Sequence, residues 1–213
     1  ENIEIGDQQA IAKTFGNLGL SHKELKEFET ALTYFNRMLD LAVKIGDQHS
    51  IANAYSSIAL IYKHQGIYNK AVLFFQKNMT IMEKLGIAAG LMNTYANMAE
   101  MYVDMGKLKE ARKYFDKSLI ICKDQSDSHT EAMLLERVAE IDCMENKVQE
   151  SLEKISKAST VFKEVGNLTE LFRCEQVNVK LFRMERDYVS ALRSADRSNE
   201  IGNSMNDEKK TFI

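Results

Sequence analysis

The sequence predicts an all-α protein, a solenoid of antiparallel helix hairpins, on three observations. One period of forty residues runs through the chain, apolar residues recur three and four apart within each period, and no proline interrupts them. Ile5-Gly6-Asp7 returns as Ile45-Gly46-Asp47, Leu85-Gly86-Ile87, Gln125-Ser126-Asp127 and Val165-Gly166-Asn167. A fixed period of this length marks a repeat architecture, and apolar spacing of three and four is helical rather than extended. Proline is costly inside a helix, so its absence fits an unbroken run of them.

The same shift superimposes Phe15, Tyr55, Tyr95 and Leu135, and likewise Leu18, Ile58, Met98 and Val138. A small-residue series, Gly19, Ala59, Ala99 and Ala139, faces a second one, Ala31, Ala71, Ala111, Ser151 and Ala191. Small residues let two helices approach, while the large columns fill the space between hairpins.

Taken in order, the first helix is expected over 10–24, carried by Phe15, Leu18 and Gly19, and the second over 28–45, carried by Phe28 and Ala31. Asp47 is a candidate N-cap for 48–65, whose stripe is Tyr55, Ile58, Ala59 and Tyr62 and which Gly66 stops. Tyr68, Ala71, Val72, Phe75 and Met79 form the stripe of 68–85. Tyr95 and Met98 carry 89–105, stopped by Gly106, and Leu108, Ala111 and Phe115 carry 108–124. Ser128–Glu131 and Asn167–Glu170 are spaced as capping boxes for 129–145 and 168–185. Asp7 is a further candidate cap. Asn146 tolerates the left-handed turn after 129–145, and Lys26 and Arg186 occupy the equivalent place less comfortably. Val148 and Ser151 mark 148–165, and Tyr188 and Ala191 mark 188–202. In the fifth copy Glu175 and Asn178 break the stripe, so the register of 168–185 is open by one turn.

The five copies are expected as one continuous array over 1–213, at about 8–47, 48–87, 88–127, 128–167 and 168–206. Residues 1–5 align with Leu41–Ile45 and the final DEKKTFI with the start of a further first helix, so the stretch reads as part of a longer array.

Composition excludes several classes of work. A net charge of −3 gives no electrostatic reason for nucleic acid or an anionic membrane as partner. No apolar run approaches the roughly 20 residues of a membrane helix, and the polar opening ENIEIGDQQ reads as neither signal nor transit peptide. Cys122, Cys143 and Cys174 are too widely spaced for a zinc knuckle and read as buried thiols in a reducing, cytoplasmic setting. His22, His49, His64 and His129 are scattered, and no phosphate loop or nucleophile motif accompanies them. Neither catalysis nor a cofactor is expected.

Asn-Leu-Gly at 17–19, the tyrosines at 62 and 102, Gly-x-Tyr at 66–68 and Ala-x-x-x-Phe at 71–75 and 111–115 resemble the tetratricopeptide repeat. The forty-residue spacing is similar to the longer variety found in kinesin light chains, Pins-type adaptors and bacterial signalling proteins. Asp142 departs from the pattern, standing where Tyr62 and Tyr102 have an aromatic ring. The resemblance implies a right-handed superhelix whose first helices line a concave groove.

It also implies the lining. In the first three copies this includes Asn17, Asn53, Ser57, Asn93 and Asn97, with Lys13, Gly16, Leu20, Lys23, Ser56 and Lys63 beside them. Asparagine both donates and accepts, so it can pair with the backbone of an extended peptide. Glu100, Asp104, Glu136 and Glu140 then make the lining acidic, and Arg137, Arg173, Lys180 and Arg183 add basic groups. The carboxylate clamp of chaperone-binding members is not matched, since Gly16 and Leu20 stand where it needs Lys and Asn.

The expected function is a non-catalytic scaffold holding a partner's peptide or helix in that groove. The alternative is a regulatory segment of a multidomain signalling protein, its partner an intramolecular kinase or cyclase domain. An oligomerisation module is a third reading, and a merely solvated polar face is the plain one.

Overall fold

The structure, a computed structural model, describes residues 2–211, with side chains for 7–206. It contains ten helices: α1 (Asn2–Glu24), α2 (Phe28–Ile45), α3 (Gln48–His64), α4 (Tyr68–Leu85), α5 (Ala88–Asp104), α6 (Leu108–Gln125), α7 (Ser128–Met144), α8 (Val148–Glu164), α9 (Leu168–Met184) and α10 (Tyr188–Thr211). Internal boundaries fall within one residue of those the period predicts. The outer ends do not: α1 begins at Asn2 and passes straight through Asp7, which is therefore no cap, and α10 runs on past 202. The alignments of Glu1–Ile5 and of the last seven residues concern side chains outside the described residues.

Each turn is short because the chain reverses through a left-handed residue. Gly46, Gly66, Gly86, Gly106 and Gly166 have φ between 67° and 73°, and Lys26, Ser126, Asn146 and Arg186 take the same conformation at φ of 55–62°. At the helix starts, Asp47 accepts from the Ser50 N–H and Asn167 from the Glu170 N–H, as expected. The cap of α7 is Asp127 rather than Ser128, accepting from both the N–H and the hydroxyl of Thr130. An aspartate one residue earlier is the stronger cap, because its charge also faces the helix N-terminus.

The chain divides into two compact units, Glu1–Met105 and Gly106–Ile213. In unit 1, α1 to α5 pack in sequence, each on the next. The first helices also touch, α1 on α3 and α3 on α5, while α2 and α4 make no comparable contact. This asymmetry puts the first helices on the inner side of unit 1. Its core is Ala12, Ala31, Phe35, Ala54, Ile58 and Ile61, partly covered by Phe15, Phe28 and Phe74. Gly19 sits so close to Phe35 that a Cβ there would lie 2.7 Å from the ring, which explains the small column at its tightest point. A buried polar bridge also fixes register: the Asn78 amide donates to the Ala52 carbonyl at 2.8 Å and accepts from the Thr94 hydroxyl at 2.6 Å, joining α4 to α3 and α5.

Unit 2 repeats the pattern with α6 to α10, and α7 also touches α9. Ala132, Ala139, Ile155, Phe162, Cys174 and Leu181 form its core. Ser151 replaces the alanine of the small column and donates to the Ala139 carbonyl at 2.7 Å, which satisfies its hydroxyl. Helix α9 keeps the forty-residue frame, starting forty residues after α7, so the register has no slip.

Candidate functional site

Within unit 1 the inner face of α1 and α3 encloses a hollow of about 300 Å³, lined by Lys13, Gly16, Asn17, Leu20, Asn53, Ser56 and Ser57, with Phe35 and Met38 from α2. Asn17 and Asn53 are exposed and Ser57 is half-buried. The structure therefore brings together three of the amide and hydroxyl side chains that the sequence singles out. Phe35 and Met38 belong to the second helix and were not foreseen. The signal for them was Gly16, whose missing side chain leaves the room that Met38 fills.

Farther along the same face, Asn93 and Asp104 are exposed and Asn97 is half-buried. Glu100 is not a free acid: its carboxylate accepts from Lys63 of α3 at 2.7 Å. One of the two acids expected on this stretch is thus neutralised from within the protein.

The inner face of unit 2 behaves likewise. Glu136 is fully buried rather than displayed, 3.6 Å from Arg137 and 3.5 Å from Arg173. Arg137 also reaches Glu140 at 3.4 Å, and Arg173 reaches Glu170 at 3.0 Å. Glu140 and Lys180 flank a smaller hollow of about 100 Å³ with Cys143, Met144 and Val177. Burial pushes the Cys143 thiol upward against the pull of Lys180. Cys174, deep in the core, is pushed up to about 12 by the same cause, so it is no nucleophile at neutral pH.

A cleft of about 730 Å³ lies over α9 between α8 and α10. Three packing positions have become polar here. Glu175 follows Tyr55, Tyr95 and Leu135, Ser159 follows Leu39, Met79 and Leu119, and Asn178 follows Ile58, Met98 and Val138. Arg197 closes the floor by pairing with Glu175, Nε to Oε1 at 2.9 Å. Among the described residues no group of three or more His, Cys, Asp or Glu is arranged to hold a metal ion. No described helix is long and apolar enough to cross a membrane.

Family models of the tetratricopeptide repeat match residues 10–84 and 91–124, together about half of the sequence. The chain is a tetratricopeptide-repeat protein. Among solved structures this tetratricopeptide-repeat protein is similar to BtubC (BKLC) from P. vanneervenii, with a TM-score of 0.83 at 16% identity, covering 93% of this chain and 82% of that one. A Podosopora anserina putative kinesin light chain with nearly identical TPR-like repeats gives 0.73 at 13% identity, covering 93% and 97%. The apo form of RapI gives 0.78 at 15% identity, covering 89% of this chain but 53% of RapI. At such identities the likeness is one of fold. No curated protein matches the sequence.

Proposed function

We propose that this tetratricopeptide-repeat protein is a non-catalytic interaction scaffold, holding an extended peptide of a partner protein on the inner face of its first helices. The observation that carries this is the hollow in unit 1, where Asn17, Asn53 and Ser57 converge around an open, partly apolar floor. Amides at the rim supply a donor and an acceptor for a peptide backbone, and the floor supplies burial for a side chain. Asn93, Asn97 and Asp104 extend the same face in unit 1. In unit 2 the corresponding candidates are Arg137, Glu140, Arg173 and Lys180; Glu136 there, and Glu100 in unit 1, act through the cations they hold.

The test is a selection of displayed random linear peptides on the immobilised chain, followed by titration against Asn17→Ala/Asn53→Ala. The expected result is binding at least about tenfold weaker at unchanged helicity, as for loss of hydrogen bonds at a buried contact. Selected peptides that bind the double variant as well as the parent would remove this face from consideration.

A second reading is a regulatory segment of a longer signalling protein; the likeness to RapI, of which this chain covers 53%, is one of fold and compatible with it. The chain would then regulate an output domain in the same polypeptide, and its ligand would be intramolecular. Flanking coding sequence carrying a kinase, cyclase or DNA-binding motif would favour it, and flanks of further repeats would not.

A further inference from the structure

The hollow in unit 1 differs from every later copy of the same face. Position 16 of the frame is Gly16 in the first hairpin, then Ser56, Ala96, Glu136 and Gln176. With no side chain at Gly16, the Met38 thioether packs against it in the floor of the hollow: a Cβ there would lie 3.1 Å from the sulfur, and Met38 keeps only 6% exposure. Phe35 lies beside Met38, and Leu20, 44% exposed, forms an apolar wall. Lys13 stands at the mouth, where the next copies have Asn53, Asn93 and Met133. A hollow, an apolar floor closed by Met38 and a cation thus coincide in one place.

We infer, building on the scaffold reading above, that this notch sets the specificity of the groove. It takes one long apolar side chain of the bound peptide, Leu or Met, and Lys13 pairs with an Asp or Glu next to that anchor. An unbranched or γ-branched anchor fits best, because it reaches past the rim along Leu20 and the flexible Met38 side chain can shift to admit it. Asn17 and Asn53, on either side, hold the peptide backbone whatever its sequence. A cation at the rim of an apolar pocket discriminates through charge complementarity rather than through added burial. The partner is therefore a protein with an exposed linear segment combining an apolar anchor and an adjacent acidic residue.

Displayed random linear peptides selected on the full chain should converge on Leu or Met within two residues of Asp or Glu. Gly16→Met fills the notch and should weaken the selected peptides by about tenfold or more, the usual range for excluding an apolar side chain from its pocket. Lys13→Glu should weaken them as well, and peptides with the acidic residue changed to Lys should recover on that variant. The charge swap keeps the idea testable even if Gly16→Met fails to fold, which its thermal melt would reveal. Peptides that weaken on Asn53→Ala but bind Gly16→Met and Lys13→Glu like the parent would overturn the notch and leave the scaffold standing. Peptides indifferent to all three changes, or a selection that enriches none, would overturn both.

Discussion

Two kinds of single residue decide how cleanly these helices begin and end. At the turns, the left-handed conformation costs a side chain about 1 kcal/mol relative to glycine, because Cβ crowds the neighbouring carbonyl. Lys26 and Arg186 carry that cost at φ of 62° and 60°. Arg186→Gly should therefore stabilise the protein, by up to about 1 kcal/mol after the extra freedom glycine gives the unfolded chain. Urea unfolding reads this directly, and a lowered midpoint would mean that the arginine side chain does more than occupy a turn. At the helix starts, hydrogen bonds from the Thr130 hydroxyl and N–H hold the Asp127 carboxyl below its ordinary 3.8. A depressed folded value stabilises at pH above the unfolded value and loses that contribution as pH falls through the folded one. Asp127→Ala should thus cost about 1 kcal/mol at neutral pH. The difference in melting temperature should shrink below about pH 4, where the parent loses its charge too. A gap that stayed constant to low pH would assign the effect to something other than the cap charge.

Between elements, one junction has been rebuilt with different chemistry in different copies. His22 stacks on Tyr34 at 5.3 Å between centroids, and Tyr62 stacks on Phe74 at 5.7 Å. Eighty residues after Tyr62 and Phe74 the same pair of positions holds Asp142 and Lys154, 2.7 Å apart. Arg112 of α6 joins them at 2.6 Å, so the buried carboxylate is met by cations from both neighbouring helices. A parallel exchange occurs one column away. Arg37 lies over Phe15 and Lys77 over Tyr55, whereas Arg197 pairs with the Glu175 that replaces those rings. In the second case a cation already present changes its partner from a ring face to a carboxylate, both electron-rich, whereas in the first both cations arrive with the carboxylate, Lys154 in place of Phe74 and Arg112 in place of Leu32. Asp142→Ala should destabilise by about 2–3 kcal/mol, below the usual cost for a fully buried pair because Arg112 and Lys154 keep some exposure. Installing the chemistry found eighty residues earlier, Asp142→Tyr with Lys154→Phe and Arg112→Leu, should restore most of that loss. If the triple variant is no more stable than Asp142→Ala, the two junctions are not interchangeable. The period made the helices and their facing columns legible, since burial repeats with it. It could not show that the departure at Asp142 was balanced from α6 and α8, because those partners are far off in sequence and look like ordinary surface charges.

Within each unit, each helix packs on its chain neighbours and at most on the next first helix. Cohesion of this kind is a sum of local terms, so a defect should spread no farther than the adjoining hairpin. The same locality explains what stayed hidden in the candidate site. A repeat pattern reports which face a residue occupies, which was enough for Asn17, Asn53 and Ser57. Glu136 was placed on that face yet folds inward between two arginines, and Met38 reaches its floor only because Gly16 leaves room for the sulfur. Both depend on contacts between helices rather than on position within one. Hydrogen exchange tests the locality in each unit separately. In unit 1, Gly19→Ala drives a methyl into Phe35, an overpacking worth about 1–3 kcal/mol. Amides of α1 and α2 should then exchange several-fold to about a hundredfold faster, while those of α4 and α5 stay near their parent rates. In unit 2, Asp142→Ala should speed α6, α7 and α8 and leave the second half of α10 unchanged. Uniform acceleration through all five helices of a unit would mean that it unfolds as a single cooperative body, and the nearest-neighbour account of its stability would have to be abandoned.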